Sequence, residues 1–176
     1  MTDPDPVLTT RLRLEALPPE TLDALVAGDL DGARRRQGIE IPDGFFGPGD
    51  DVFLKIQLAR MAARPSGRGW CARAMVRVED GAVIGHCGFH GPPPDVGRAE
   101  IGYCVLAPYR RQGYAVEAVH GLLTWASSQG ETVVFASVAP TNEASLAVMR
   151  TLGFRQTGVQ IDEIDGEEGV FEISLD

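Results

Sequence analysis

Arg110, Arg111, Gln112 and Gly113 carry the clearest chemical signal in this chain. They lie between the extended run Glu100-Ile101-Gly102-Tyr103-Cys104-Val105-Leu106 and a run in which Ala115, Ala118, Val119, Leu122, Leu123 and Ala126 recur at helical spacing. A turn that starts a helix exposes unpaired backbone N–H groups, and the helix dipole places partial positive charge there. With two arginines added, this turn suits an anion such as a phosphate. Gly113 has no side chain to block backbone approach, and Ala115 is small. No Gly-Lys-Ser or Gly-Lys-Thr is present, which excludes a nucleotide P-loop. The plain alternative is a strand–helix connection with surface arginines. Further titratable groups lie nearby in sequence: Glu100 at the strand start, and His86 and His90 on the preceding apolar run. Imidazoles titrate near neutral pH.

Those residues need strands and helices to hold them. Ile101, Tyr103 and Val105 suit a half-buried strand, which Pro108 must end because it cannot donate to a ladder. The helix after the turn runs from about Arg111 to Gln129, closed by Gly130. Upstream, residues 7–15 alternate as a strand, and Pro19 starts a helix through about Gly28. Asp29 to Gly49 is poorly patterned; Arg34-Arg35-Arg36 reads as a solvated helical face or a ligand contact, and Phe45-Phe46 as an apolar loop. Asp50-Asp51 caps a helix to about Ala63, ended by Pro65-Ser66-Gly67. Strands follow at 70–78, 82–89 and 99–105, the first two joined by an Asp80-Gly81 hairpin turn. Pro92-Pro93-Pro94 and Gly97 make the next loop an ordered connection. Residues 132–138 read as a buried strand, and Pro140-Thr141-Asn142 starts another helix with Asn142 as its N-cap. Strands at 154–161 and 169–175, joined by Asp165-Gly166, close the chain. The pattern is α/β, with mostly antiparallel hairpins and two helices crossing between strands.

At 176 residues the chain suits a single domain, 1–176, with a sizeable core. Its 44% hydrophobic and 23% charged content is that of a soluble globular protein. No apolar run approaches the roughly 20 residues that span a membrane. Met1-Thr2-Asp3-Pro4-Asp5-Pro6 is acidic and proline-rich, unlike a secretory signal. Cys71, Cys87 and Cys104 fall on apparent strands without metal-ligand spacing, which favours reduced thiols, a cytoplasmic setting and no metal. A formal net charge of −9 argues against general nucleic-acid binding. It suits a cationic acceptor such as an amine, although solubility alone would account for it.

Arg110-x-x-Gly113-x-Ala115 after an Ile-Gly-Tyr strand resembles the acyl-CoA pyrophosphate turn of the GNAT acetyltransferases. Asn142-Glu143-Ala144-Ser145, followed by Leu152-Gly153-Phe154, resembles that family's cofactor-side helix and its Gly-Phe end. Leu8-Thr9-Thr10-Arg11-Leu12-Arg13-Leu14 is similar to the first strand of its RimJ/RimL-type branch, which acetylates ribosomal-protein N-termini and related amines. Together the matches span most of the chain in the family's order. The resemblance implies a mixed, mostly antiparallel central sheet of about six to seven strands flanked by helices. It also implies an acetyl-CoA-dependent N-acetyltransferase working by direct transfer in a ternary complex, without metal. The acceptor would be a small-molecule amine or a protein N-terminus, and the protein a monomer or homodimer. The other class of function open to this fold is a non-catalytic acyl-CoA-binding or regulatory module.

The resemblance also assigns roles. Backbone amides of Arg111, Gln112, Gly113, Tyr114 and Ala115 would bind the phosphates, beside Arg110. Val105 and Leu106 would meet the pantetheine arm where two strands splay, and an N–H near Cys104 or Val105 would meet the thioester oxygen. Asn142 would add a cofactor contact to its capping role. Glu100 would take the amine proton directly or through water, with His86 and His90 as rivals; His120 reads as structural. Many relatives carry a tyrosine seven residues after this asparagine to protonate the thiolate, but here that position is Met149. Ser145 is the hydroxyl left to serve as the acid, or the thiolate leaves with water nearby. Phe46 and its neighbours would lie over the acceptor.

Overall fold

In the computed structural model, which describes residues 4–47, 50–93, 98–162 and 166–175, the short extended runs form one eight-stranded sheet. The strands are β1 (Val7–Leu8), β2 (Leu12–Ala16), β3 (Ala72–Arg77), β4 (Val83–Phe89), β5 (Ala99–Val105), β6 (Val133–Val138), β7 (Arg155–Asp162) and β8 (Gly166–Ser174). Their order across the sheet is β1-β2-β3-β4-β5-β6-β8-β7. Every pairing is antiparallel except β5 with β6. The helices are α1 (Pro19–Val26), α2 (Leu30–Gln37), α3 (Asp50–Ala63), α4 (Tyr114–Ser128) and α5 (Glu143–Leu152).

The sheet thus has one strand more than the largest number expected. The run 7–15 is a tight hairpin rather than a single strand: the Thr9 N–H donates to Leu12 O at 2.9 Å, and Val7 pairs with Leu14. The helix after the basic turn begins at Tyr114 instead of Arg111, because Arg111 (φ 61) and Gly113 (φ 82) are left-handed and cannot continue a right-handed helix. The last strand starts at Gly166, earlier than its apolar pattern suggested, because Ile161 and Asp162 keep pairing with Glu167 and Gly166. The expected features at Met1–Asp3, Pro94, Gly97 and Asp165 lie outside the described residues.

Each face of the sheet has its own apolar core. Leu12, Leu14, Met75, Ile84, Ile101 and Val134 pack with Leu122 of α4 and Met149 of α5 on one side. Ala72, Ala74, Val76 and Val83 pack with Leu22, Ile41, Leu54 and Met61 on the other. Phe45 belongs to that second core and Phe46 packs against its margin. Arg34 is also structural, donating to Ile41 O at 2.8 Å and pairing with Asp31 and Asp43.

Gln57 is the buried polar tie between α3 and the sheet. Its Nε2 donates to Phe89 O at 3.0 Å, and its Oε1 accepts from the Ala72 N–H at 3.3 Å. Gln57→Leu puts an apolar side chain in its place and leaves both strand groups without this partner in the core. We expect a loss of about 2 kcal/mol or more in denaturant unfolding, larger than a surface substitution gives.

Candidate active site

The two parallel strands meet only briefly. Ala99 pairs with Val134 and Glu100 with Phe135, after which β5 and β6 part. On its other edge β5 stays bound to β4 along its length. There the Leu106 N–H donates to Ile84 O at 2.9 Å, and the His90 N–H to Glu100 O at 2.9 Å. An antiparallel ladder alternates, so even-numbered residues direct their backbone groups to β4 and odd-numbered ones direct theirs the other way. The N–H groups of Tyr103 and Val105 therefore face the opening. Those of Cys104 and Leu106 face β4, which leaves Val105 as the better-placed of the two amides considered for a thioester oxygen.

The opening ends at the basic turn. Arg110 is extended (φ −68, ψ 161), and its Nε donates to Val105 O at 2.8 Å. Arg110, Arg111, Gln112 and Gly113 are all exposed. A Cβ built on Gly113 would meet only Arg11 Nη2, at 3.5 Å, so the glycine is required by its φ and by close approach from outside, not by crowding. The first turn of α4 follows with its amides free of side-chain caps. This is a concave, cation-flanked set of N–H groups, suited to a phosphate.

A hairpin from the other end of the chain holds that turn. The Arg11 N–H donates to Glu117 Oε1 at 2.6 Å, its Nε to Glu117 Oε2 at 2.6 Å, and its Nη1 to Gln112 O at 3.1 Å. Its guanidinium lies over the Tyr114 ring, 4.4 Å from the centroid. Thr9 adds a hydroxyl to Glu117 Oε1 at 2.7 Å. Burial pushes the Glu117 carboxyl up, but the bonds from Thr9 and Arg11 outweigh it and hold it below its ordinary value. The sequence marks Arg11 only as part of the Leu8–Leu14 strand motif, without a role of its own, and does not single out Glu117.

On the α3 face of the sheet, Glu100 anchors a polar chain across four strands. His90 Nδ1 lies 3.1 Å from Glu100 Oε2, and the Ser137 hydroxyl donates to Glu100 Oε1 at 2.9 Å. Gln160 Nε2 in turn donates to Ser137 Oγ at 2.8 Å and to Glu168 Oε2 at 3.1 Å. Burial raises the Glu100 pKa, but His90, Ser137 and the charge of Arg60 outweigh it, so the net shift is downward. A Cβ on Gly102 would come within 2.8 Å of His90 Nε2, so the glycine makes room for the imidazole above the middle of β5. His86 is elsewhere: its ring stacks on Phe46 at 4.4 Å and meets Phe45 edge-on, and burial pushes its pKa down to about 4. His120 is exposed on the outside of α4.

The other face presents α5. Asn142 caps it, its Oδ1 accepting from the Ser145 N–H at 3.1 Å, as expected. Ser145 is half-buried in that first turn. Met149, one turn on, is fully buried in the core with 0% exposure, so it offers no space for a phenol. Tyr103 reaches this region from β5. The structure thus places Glu100 and Val105 on opposite faces of β5, the basic turn beyond that strand's end, and Asn142 and Ser145 at the start of α5. It places Cys104 with its N–H toward β4 and its side chain on the Glu100 face, leaves His86 against the phenylalanines, and adds Arg11, Ser137, Gln160 and Tyr103.

Comparison with known proteins agrees with this fold. The acetyltransferase (GNAT) domain model matches residues 11–155. YjdG, an uncharacterized N-acetyltransferase of Bacillus subtilis, is 32% identical over 150 residues, which is 83% of this chain and 87% of that one. The ribosomal alpha-N-protein acetyltransferase RimL, solved in complex with coenzyme A, superposes with a TM-score of 0.67 at 17% identity, covering 98% of this chain and 99% of that one. An acetyltransferase from Agrobacterium tumefaciens gives 0.65 at 21% identity, covering 98% and 96%.

If Arg11 braces the turn, Arg11→Ala should raise amide hydrogen exchange selectively at residues 111–115 by about tenfold while leaving the β3–β4 amides unchanged. Acid should mimic it. Glu117 is held below its ordinary value of 4.5 in the fold, so its contribution is intact above that value and lost as pH falls through the lowered one. Exchange at 111–115 that is unchanged in the variant would remove the bracing role.

Proposed function

The chain belongs to the GNAT acetyltransferase family, and from that premise we propose that it transfers an acetyl group from acetyl-CoA to a primary amine within a ternary complex. The observation that carries this reading is the opening between β5 and β6, which runs into a left-handed, arginine-flanked turn. The turn fits a pyrophosphate: it is exposed from Arg110 to Gly113, with open space at Gly113. The unpaired edge of β5 at Val105 fits the amide-bearing arm, as an added strand fits a sheet edge. Val105 N–H is the donor suited to the thioester oxygen, and Asn142 and Arg110 flank the cofactor. An amine acceptor, small molecule or protein N-terminus, would approach from the Glu100 face.

In this reading Glu100 receives the amine proton, directly or through His90. The His90 Nδ1–H held on Glu100 fixes the tautomer that leaves Nε2 as an acceptor above Gly102. Ser137 and Gln160 fix the carboxylate in turn. Ser145 stands on the opposite face, where the leaving thiolate would be protonated.

The test is free-CoA release with a panel of amine classes. Amine-dependent, saturable release supports transfer; tight CoA binding without release for any amine would leave a binding module. Glu100→Gln should lower turnover at neutral pH by about 10²-fold or more while cofactor affinity by calorimetry stays within about twofold. His90→Asn should lower it too if the proton passes through the imidazole. Undiminished turnover of Glu100→Gln across the pH profile would end the assignment. Gly113→Val should cut acetyl-CoA binding sharply, since a branched residue is strained at this φ and blocks the approach of phosphate. Unchanged binding in a folded variant would mean that the turn is not the phosphate site.

A further inference from the structure

The acid step lacks a convincing donor in the expected place, since Met149 is core and Ser145 is an aliphatic hydroxyl. Tyr103 supplies what is missing. It projects from the same face of β5 as Ile101 and Val105, opposite to Glu100, because side chains alternate along a strand. Its ring packs against the α4–α5 core. Its Oη is removed from solvent yet has no hydrogen-bond partner of regular geometry, and it lies beside the Ser145 side chain. A buried hydroxyl this poorly paired is destabilising. Phenylalanine would fill the same space without that cost, so the hydroxyl is not there for packing. Its backbone N–H faces the opening and its hydroxyl the start of α5, so this one residue borders the thioester end of the proposed site twice over.

Building on the acetyl-transfer reading, we propose that Tyr103 is the proton donor to the departing sulfur and that Ser145 positions its hydroxyl. The amine nitrogen bonds to the acetyl carbon, and its proton goes to the Glu100–His90 pair. The C–S bond breaks with its electron pair on sulfur, and sulfur takes the Tyr103 proton. The proton gained on one face equals the one lost on the other, and the half-buried Ser145 hydroxyl relays it back from solvent between turnovers. Burial pushes the phenol above its ordinary value, so it keeps its proton throughout the neutral range. Even so raised, a phenol is a stronger acid than an aliphatic hydroxyl and so matches a thiol leaving group better than a serine does. The donor and acceptor groups thus act from opposite faces of one strand, three residues apart.

Tyr103→Phe is the decisive variant. Its unfolding midpoint should be unchanged or raised, because only a poorly paired hydroxyl is lost. Its single-turnover rate should fall by about 10²-fold with acetyl-CoA affinity within about twofold. A second readout needs no turnover: calorimetry with CoA and desulfo-CoA. Wild type should prefer CoA increasingly as pH rises toward 9 and the thiolate forms, and Tyr103→Phe should lose that sulfur-dependent preference while binding desulfo-CoA normally. Ser145→Ala should lower the rate less than Tyr103→Phe. Wild-type rate and CoA preference in Tyr103→Phe would overturn the proposal alone, with acetyl transfer itself intact. A slower rate with the CoA preference kept would also overturn it, since the hydroxyl would then not meet sulfur. A wild-type protein that neither binds CoA nor transfers would overturn the acetyl-transfer reading and this proposal together.

Discussion

The parting of β5 from β6 is the constraint on which the rest of the site depends. A parallel pair cannot be closed by a tight turn, so the chain must leave β5, cross the sheet and return; α4 is that crossover. The next helix, α5, leaves the end of β6 in the same sense. Both helices therefore begin beyond the carboxyl ends of the parallel strands, and both aim their N–H-rich ends there. Where the strands stop pairing, alternate amides of β5 have no neighbouring strand. Backbone groups of that kind call for a partner, and an extended amide-bearing ligand is a natural one. The electropositive turn and the unpaired edge are thus two consequences of the same topology.

That topology would be of little use if the turn were loose. Left-handed backbone at a non-glycine residue such as Arg111 is unfavourable and persists only when its surroundings impose it. The surroundings here come from the other end of the chain. The hairpin of β1 and β2 places Thr9 and Arg11 on Glu117 and Gln112, tying the first turn of α4 to the loop before it. The stack of Arg11 on Tyr114 adds a face to the same contact. Arg11 is therefore better understood as a brace for the backbone than as one more surface charge.

Charge is distributed by face. Glu100 sits in a chain of hydrogen bonds from His90 to Gln160, a carboxylate held below its ordinary value by His90 and Ser137 despite its burial. The face with Tyr103 and Ser145 holds neutral hydroxyls at the margin of an apolar core. A proton acceptor on one side of a strand and hydroxyl donors on the other let a reaction between them gain and lose protons without the two groups neutralising each other.

Much of this was legible in order along the chain. Residues 99–105 read as a strand and are one, Asn142 reads as a cap and accepts from Ser145, and Arg110-x-x-Gly113-x-Ala115 reads as a helix-starting turn and is followed by α4. These features are local: strand alternation, cap chemistry and the conformational demand of glycine act within a few residues of sequence. The GNAT family itself was legible for the same reason, because its motifs are short and contiguous. What the sequence could not supply was pairing over distance. Arg11 with Glu117, Glu100 with Ser137 and Tyr103 with Ser145 are separated by dozens of residues, and no periodicity marks them. Nor could alternation along β5 reveal that Cys104 spends its N–H on β4 while Val105 does not, since that parity is set by which neighbour bonds first. Met149 looked like a vacant catalytic position and is core, because burial is decided by what packs above a helix, not by spacing along it. Sequence determined the pieces and their local chemistry; the sheet register and the helix packing decided which pieces meet.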